Sequence, residues 1–356
     1  MFKVTKLKGY LFIVFTIIIL LFVVNSNNGI CEAKYKFNLP TSNRLWEEGG
    51  IQIMLFAQSV KTESAGTIEI NIFPNGEWGG SDEDYLQSIQ LGNLDMAIVA
   101  SSVLGLYTKA LSAYDVPFLF KNPVDETLFT FESSEKFNPL VEKKLEQATK
   151  DCKFTVLSIG PMGRRDIFSN KPVNSVEDLK GLKIRTMASD IQVEAFNLLG
   201  TVATPMAYAE CFSALQTKAI DGMENSPTAY ILQRFVEVAP YWVGTNQYSC
   251  CHVIVVSKKV WDSLPEAYQN IIKKCATTAT YTIAQWTIGA DEINLKGVVP
   301  KLAKKMFFLT AEEQLKMRKD VLPKLLDKFS ADIGMDIINK LAEDDEIVKE
   351  WCEKNK

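Results

Sequence analysis

Three polar side chains set far apart in the chain could together hold an anion: Arg165, then Arg185 twenty residues on, then Asn225 forty residues further. They lie in Gly163-Arg-Arg-Asp-Ile-Phe-Ser-Asn170, in Asp178-Leu-Lys-Gly-Leu-Lys-Ile-Arg185 and in Ala219-Ile-Asp-Gly-Met-Glu-Asn225. A guanidinium is a rigid fork of donors that matches a carboxylate bidentately. Two forks and an amide brought to one place would make a receptor for an organic acid. Little else in the chain supports chemistry. His252 is the single histidine, set in an apolar stretch beside Cys251, and neighbours on a strand face opposite ways, so the two form no dyad. There is no H-E-x-x-H, no P-loop and no G-x-G-x-x-G with its acidic follower. The carboxylates form no recognisable pair and the metal-ligating types no cluster. The expectation is a binding protein with no catalytic residue, no metal and no cofactor.

The elements that must position these side chains read as α/β. Lys34 to Leu39 reads as a strand, Arg44 to Ser64 as a helix ended by Ala65-Gly66, and Thr67 to Phe73 as a half-buried strand. Ser81-Asp-Glu-Asp84 is a capping box opening a helix to Leu91, with Gly92 as its stop, and Leu94 to Ala100 is a nearly all-apolar buried strand. A helical stretch over Asp125 to Lys150 leads to a strand from Phe154 to Ile159. A second series follows: strands Lys183–Thr186, Thr201–Thr204 and Ala219–Met223, with helices Ser189–Leu199 and Tyr208–Thr217 between them. Two β-α-β series predict two α/β lobes. Cys250 to Ser257 is again strand-like. Leu264-Pro265 opens a helical pattern toward Val299-Pro300, about 35 residues or roughly 50 Å at 1.5 Å per residue, either one kinked helix or two broken near Gly289. Thr310-Ala-Glu-Glu313 caps a C-terminal helix. Arg185 and Asn225 fall at the carboxyl ends of strands, where open parallel sheets bind ligands.

Residues 1–33 read as a targeting segment: Lys3, Lys6 and Lys8, then a 15-residue apolar run from Tyr10 to Val24, then polar residues and Cys31-Glu-Ala33 as an approximate cleavage site. The run is shorter than the ~20 residues of a spanning helix. The expected destination is the periplasm. Cleavage would move the formal net charge from −4 to −6, which argues against nucleic acid as a partner. Cys152, Cys211, Cys250, Cys251, Cys275 and Cys352 remain; with no C-x-x-C, most read as small buried hydrophobes, with room for one disulfide.

Further fragments recur in order along the chain: Ile72-Phe-Pro-Asn-Gly76, Gly92-Asn-Leu-Asp-Met96, Val116-Pro-Phe-Leu-Phe120, Thr204-Pro-Met-Ala207 and Ala214-Leu-Gln-Thr217. With the arginine and asparagine motifs, they make nearly the whole mature chain resemble the solute-binding proteins of tripartite ATP-independent periplasmic (TRAP) transporters. The resemblance implies a two-lobed periplasmic-binding-protein fold, a ligand cleft between the lobes and a long helix spanning both. It implies lobe I at 34–161 with 251–290 returning to it, and lobe II at 162–250 completed by 291–356. Counted from Gly163, the family arginine falls on Arg165, leaving Arg164 a structural or solvent-facing role. Tyr208 matches an aromatic position near the ligand and Gln247 a polar cleft position; Asn43 could reach across from the opposite lobe. The implied partners are a small organic acid (dicarboxylate, uronate or related carboxylate) and the TRAP membrane permease, with the receptor a monomer that performs no chemistry. A two-lobed receptor for an ATP-driven importer or a sensor, and a periplasmic enzyme on acidic substrates, are the alternative readings. Sialic-acid receptors of this family place a glutamate after the third strand, where this chain has Ala100-Ser101-Ser102. The expectation is a first lobe with no acidic partner at that point.

Overall fold

The computed structural model describes residues 32–355, so the predicted leader lies outside it but for its last two residues. The chain builds strands β1 (Tyr35–Pro40), β2 (Ile68–Phe73), β3 (Met96–Ala100), β4 (Phe131–Ser133), β5 (Lys136–Phe137), β6 (Phe154–Ser169), β7 (Lys183–Thr186), β8 (Val202–Pro205), β9 (Gly222–Asn225), β10 (Tyr241–Ser257) and β11 (Lys305–Phe308). The helices that matter for the cleft are α1 (Glu48–Glu63), α2 (Asp82–Leu91), α3 (Asp190–Leu198), α4 (Pro227–Leu232), α5 (Glu266–Ile293) and α6 (Ala311–Ile333).

Two strands do most to join the lobes. β6 and β10 run antiparallel along most of their length, from Tyr241 opposite Ser169 to Ser257 opposite Phe154. The first half of β10 also pairs with β11, and its second half with β3 on the same edge. The end of β6 pairs with β9, which continues through β7 to β8. The sequence reading stopped the first of these strands at Ile159. It continues through Gly160-Pro161 because β10 supplies partners across the glycine and because both faces are buried. Gly160 stands where a Cβ would come within 2.4 Å of Thr280, so its breaker-like appearance reflects close packing against α5. Gly163, at φ +90°, turns the strand just before the arginines, and a Cβ there would lie 2.5 Å from Asp291 Oδ2.

Other differences are local. The helix expected over Asp125 to Lys150 is two, Pro123–Thr130 and Pro139–Asp151, split by the β4–β5 hairpin and restarted by Pro139 at the first helical turn under an Asn138 cap. The long helix does not break at Gly289. α5 runs unbroken for 28 residues and then passes through a π-helical turn, Asn294–Val298. It packs on β6 through Thr280, which donates to Ser158 Oγ at 2.9 Å and accepts from Gln52 of α1 at 2.8 Å. Just beyond its end, Asn294 donates to Thr228 of α4 at 3.1 Å, so the helix touches both lobes.

The cores divide accordingly. Leu39, Ile53, Phe56, Ile98, Ile254 and Ile272 pack one lobe, and Phe168, Met223, Tyr230 and Trp242 the other. Ala113, Val116 and Leu119 bury their side chains with Ile191 of α3 and Val321 and Leu325 of α6. Four of the cysteines, Cys152, Cys211, Cys275 and Cys352, are free thiols, all but Cys152 buried.

Candidate functional site

Arg165 and Arg185 come together because β6 and β7 flank β9 in one sheet. β9 carries Glu224 and Asn225 between them, pairing Asp166 with Asn225 and Arg185 with Met223. Asn225 is thus the last residue of its strand; the strand begins at Gly222 and not at Ala219, since Ile220 packs as core ahead of it.

The two arginines are held differently. Arg165 gives Nε and Nη2 to the Glu224 carboxylate at 2.5 and 2.9 Å, and Nη1 to Asn225 Oδ1 at 2.6 Å. Tyr248 donates to the same Glu224 carboxylate at 3.0 Å. Glu224 is fully buried. The side-on fork of Arg165 is therefore occupied by protein. Arg185 gives Nε to Met206 O at 2.9 Å, and its Nη1 stands 3.9 Å from Glu224 Oε1. Its two terminal nitrogens make no hydrogen bond within 3.5 Å among the described residues, which leaves an end-on fork in the cleft wall. Asn225 Oδ1 accepts from Arg165 and from Ser226 N at 2.8 Å, which orients the amide so that Nδ2 is its remaining donor group. Arg164, next along the strand, turns away and closes on Asp166 through two bonds of 2.7 Å.

One cleft is lined by Arg165, Arg185, Asn225, Tyr208 and Asn43. Burial holds the Tyr208 hydroxyl well above its ordinary pKa, so it stays neutral. Gln247 is the exception among the sequence-read residues: it does not line this cleft. Strand alternation puts its neighbour Tyr248 on the face toward Arg165, while Gln247 is buried with its Oε1 accepting from Thr245 and its carbonyl accepting from Phe118 N at 2.6 Å.

The opposite wall carries acids, though not at Ala100-Ser101-Ser102. Ser101 and Ser102 are buried off the cleft, Ser102 against Met187. Acidic groups arrive from elsewhere: Glu47 and Glu48 at the start of α1, and Asp82 at the start of α2, all line the cleft. Desolvation first, then repulsion from Glu48, raises Glu47 to about 7. Burial raises Glu48 as well, and raises Asp82 to about 6 against the bonds from Ala100 N and Ser42. His252 also faces the cleft; burial, aided by the charge of Arg165, lowers it to about 4, and its Nδ1 has no hydrogen-bond partner among the described residues. Gly49 makes room for this wall, since a Cβ there would lie 1.9 Å from Asn43 Oδ1 and 2.8 Å from the His252 ring. The signal for these acids was present in the sequence: all three follow strands at helix starts, the edge where α/β sheets gather ligands, but acids there also serve as ordinary helix caps.

Two lobes joined by long crossing strands, a polar cleft between them and an oriented guanidinium fork in its wall define a solute-binding receptor of the periplasmic-binding-protein type. The chain belongs to the bacterial extracellular solute-binding proteins, family 7, which it matches over residues 47–332. It is similar to the C4-dicarboxylate-binding periplasmic protein DctP of Vibrio cholerae, 29% identical over 81% of this chain and 84% of that one. Among solved structures it resembles a TRAP periplasmic solute-binding protein from Ochrobactrum anthropi, with 29% identity, a TM-score of 0.73, and coverage of 90% of this chain and 97% of that one. It also resembles a sugar acid binding protein from Advenella mimigardefordensis in complex with galactonate, with 25% identity, a TM-score of 0.76, and coverage of 89% and 98%.

Proposed function

We propose that this protein is an extracytoplasmic receptor that captures a small organic acid between its lobes and delivers it to the membrane permease of a TRAP transporter. The observation that carries the reading is Arg185: its Nε is fixed by Met206 O, its terminal nitrogens make no hydrogen bond among the described residues, and it lines the same cleft as Asn225. The ligand carboxylate lies end-on against that fork, with Asn225 Nδ2 as a further donor and the Tyr208 hydroxyl within the same wall. Arg165 supports this arrangement by holding Glu224 and the Asn225 amide in place. Asn43 contributes from the facing wall. The lobes are residues 34–161 with 251–290, and residues 162–250 with 291–356. The receptor acts in the periplasm as a monomer and carries out no reaction on its ligand.

A thermal-shift screen against dicarboxylates, uronates, aldonates and 2-oxo acids tests the reading. A ligand at 100 times its dissociation constant should stabilise the protein by about 2.7 kcal/mol. Stabilisation by none of these acids, or turnover of a bound acid, would refute it.

A further inference from the structure

We infer that the cleft selects a monocarboxylic acid whose far end donates hydrogen bonds, and that Glu47, Glu48 and Asp82 exclude a second carboxylate. This rests on the carboxylate site assigned above to Arg185. The two walls of the cleft differ in kind. On one side the charge of Arg165 is already met by Glu224 at 2.5 Å, so Arg185 is the cation that a ligand can engage with a whole fork. On the other side stand three carboxylates, and none of them forms an ion pair within 4.0 Å among the described residues.

The partners of these acids are neutral donors. Glu48 accepts from Ser226 Oγ at 3.0 Å, Asp82 from Ala100 N at 2.7 Å and Ser42 Oγ at 3.1 Å, and Glu47 from Gln233 and from Arg44 N at 3.3 Å. A carboxylate offers about four lone-pair sites, so each acid keeps acceptor capacity beyond these bonds. A separate observation points the same way. The Nδ1 of His252, in the same wall, is buried without a partner among the described residues, and the lowered pKa keeps the ring neutral, so as the Nε2–H tautomer it can accept from a ligand hydroxyl. A buried polar atom left unsatisfied is a place where a ligand group completes the network. The wall is thus rich in acceptors and, among the described residues, its acids have no cation paired to them. Ligand hydroxyls satisfy it. Above the raised pKa values of Glu47 and Asp82, a second carboxylate there meets like charge in a site of low dielectric, which is strongly disfavoured.

The test compares matched pairs that differ only at the far end: galactonate with galactarate, and threonate with tartrate, with succinate added. In each pair the terminal CH₂OH of the first is a carboxylate in the second. Calorimetry is run at pH 8, above the values of about 7 for Glu47 and about 6 for Asp82. The aldonate of the pair that binds should bind about tenfold or more tightly than its dicarboxylate partner. Glu48→Gln and, as a second isosteric change, Asp82→Asn should each narrow that gap by weakening the aldonate or strengthening the dicarboxylate, in variants whose melting shows that they fold. Overturning results are a dicarboxylate that binds as tightly as its partner, succinate as the tightest ligand, or a gap untouched by either substitution. The first two leave the carboxylate receptor standing. Binding of no carboxylate at all removes both readings.

Discussion

Arg165 and Arg185 share a cleft but respond differently to mutation, because one is saturated by protein and the other is not. Arg185→Ala removes the end-on fork and should weaken ligand binding by about 2–5 kcal/mol, roughly 30- to several-thousand-fold, with little change in melting. Arg185→Lys keeps the charge but loses the planar fork, so calorimetry should place it between wild type and alanine. Arg165→Ala instead strands the fully buried Glu224 and should lower folding stability by about 3–5 kcal/mol, seen as a drop in melting temperature before any ligand is added. Wild-type affinity in Arg185→Ala, or unchanged melting in Arg165→Ala, would contradict this division of roles. The sequence singles out the arginines and Asn225 because carboxylate capture would demand those residue types, and the fold brings the three into one cleft. Glu224 was passed over although it sits inside the same motif as Asn225, since its role exists only once β6 and β9 pair. Gln247 was misplaced because one step along a strand reverses the face, and the irregular pairing between Val243 and Tyr248 hides which residue faces inward.

At the level of elements, alternation and capping signals located most strands and helices, and the Thr310 capping box is present as read, with Glu313 returning to Thr310 N at 2.7 Å. What local signals could not show was the length of β6 and β10. Glycine and proline mark breaks, yet here long-range pairing and burial carry the strand through them. The same packing buries an acid between elements. Glu126, on the helix Pro123–Thr130, accepts from Cys251 of β10 at 3.1 Å, and burial raises it from about 4.5 to about 8. A carboxyl raised in the folded state contributes stability that is complete below pH 4.5 and is lost as pH rises through about 8. Asp115, raised to about 7 by burial where it holds Ser189 and Gln192 of the α3 turn, acts in the same direction. Glu126→Gln should therefore flatten the alkaline part of the melting profile, and at pH 9 melt above wild type by about a few degrees. A profile as steep as that of wild type would show that Glu126 does not carry this dependence.

At the scale of the whole molecule, the lobes are joined across the cleft mouth by direct bonds: Arg44 to Leu232 O at 3.1 Å, Ser226 to Glu48 at 3.0 Å, and Gln233 to Glu47. Any opening that carries the start of α1 away from α4 would break these pairs, so they are expected to favour a closed arrangement. A ligand favours this state only through contacts to both walls, and apparent affinity scales with the population of the competent state. In this arrangement burial raises Glu47 from about 4.5 to about 7; an opening that exposes it would return it toward its ordinary value, so closing would take up a proton in that interval. Binding of a monocarboxylate should weaken as pH rises toward about 7 and level off above it. His252 opposes this below its ordinary value of 6.5, since closing holds it neutral, so the Glu47 contribution is cleanest above that pH. Glu47→Gln should remove it. Small-angle scattering supplies the independent readout. Saturation with the best acid should reduce the radius of gyration of wild type, and the reduction at a fixed subsaturating concentration should be larger at pH 6.5 than at pH 8. In the double variant Arg44→Ala, Gln233→Ala, with two of the three joining bonds removed, the ligand-free protein should be more open than wild type and should need more ligand to reach the same compact profile. Identical profiles with and without ligand, in wild type and variant alike, would show that these contacts do not report on closure.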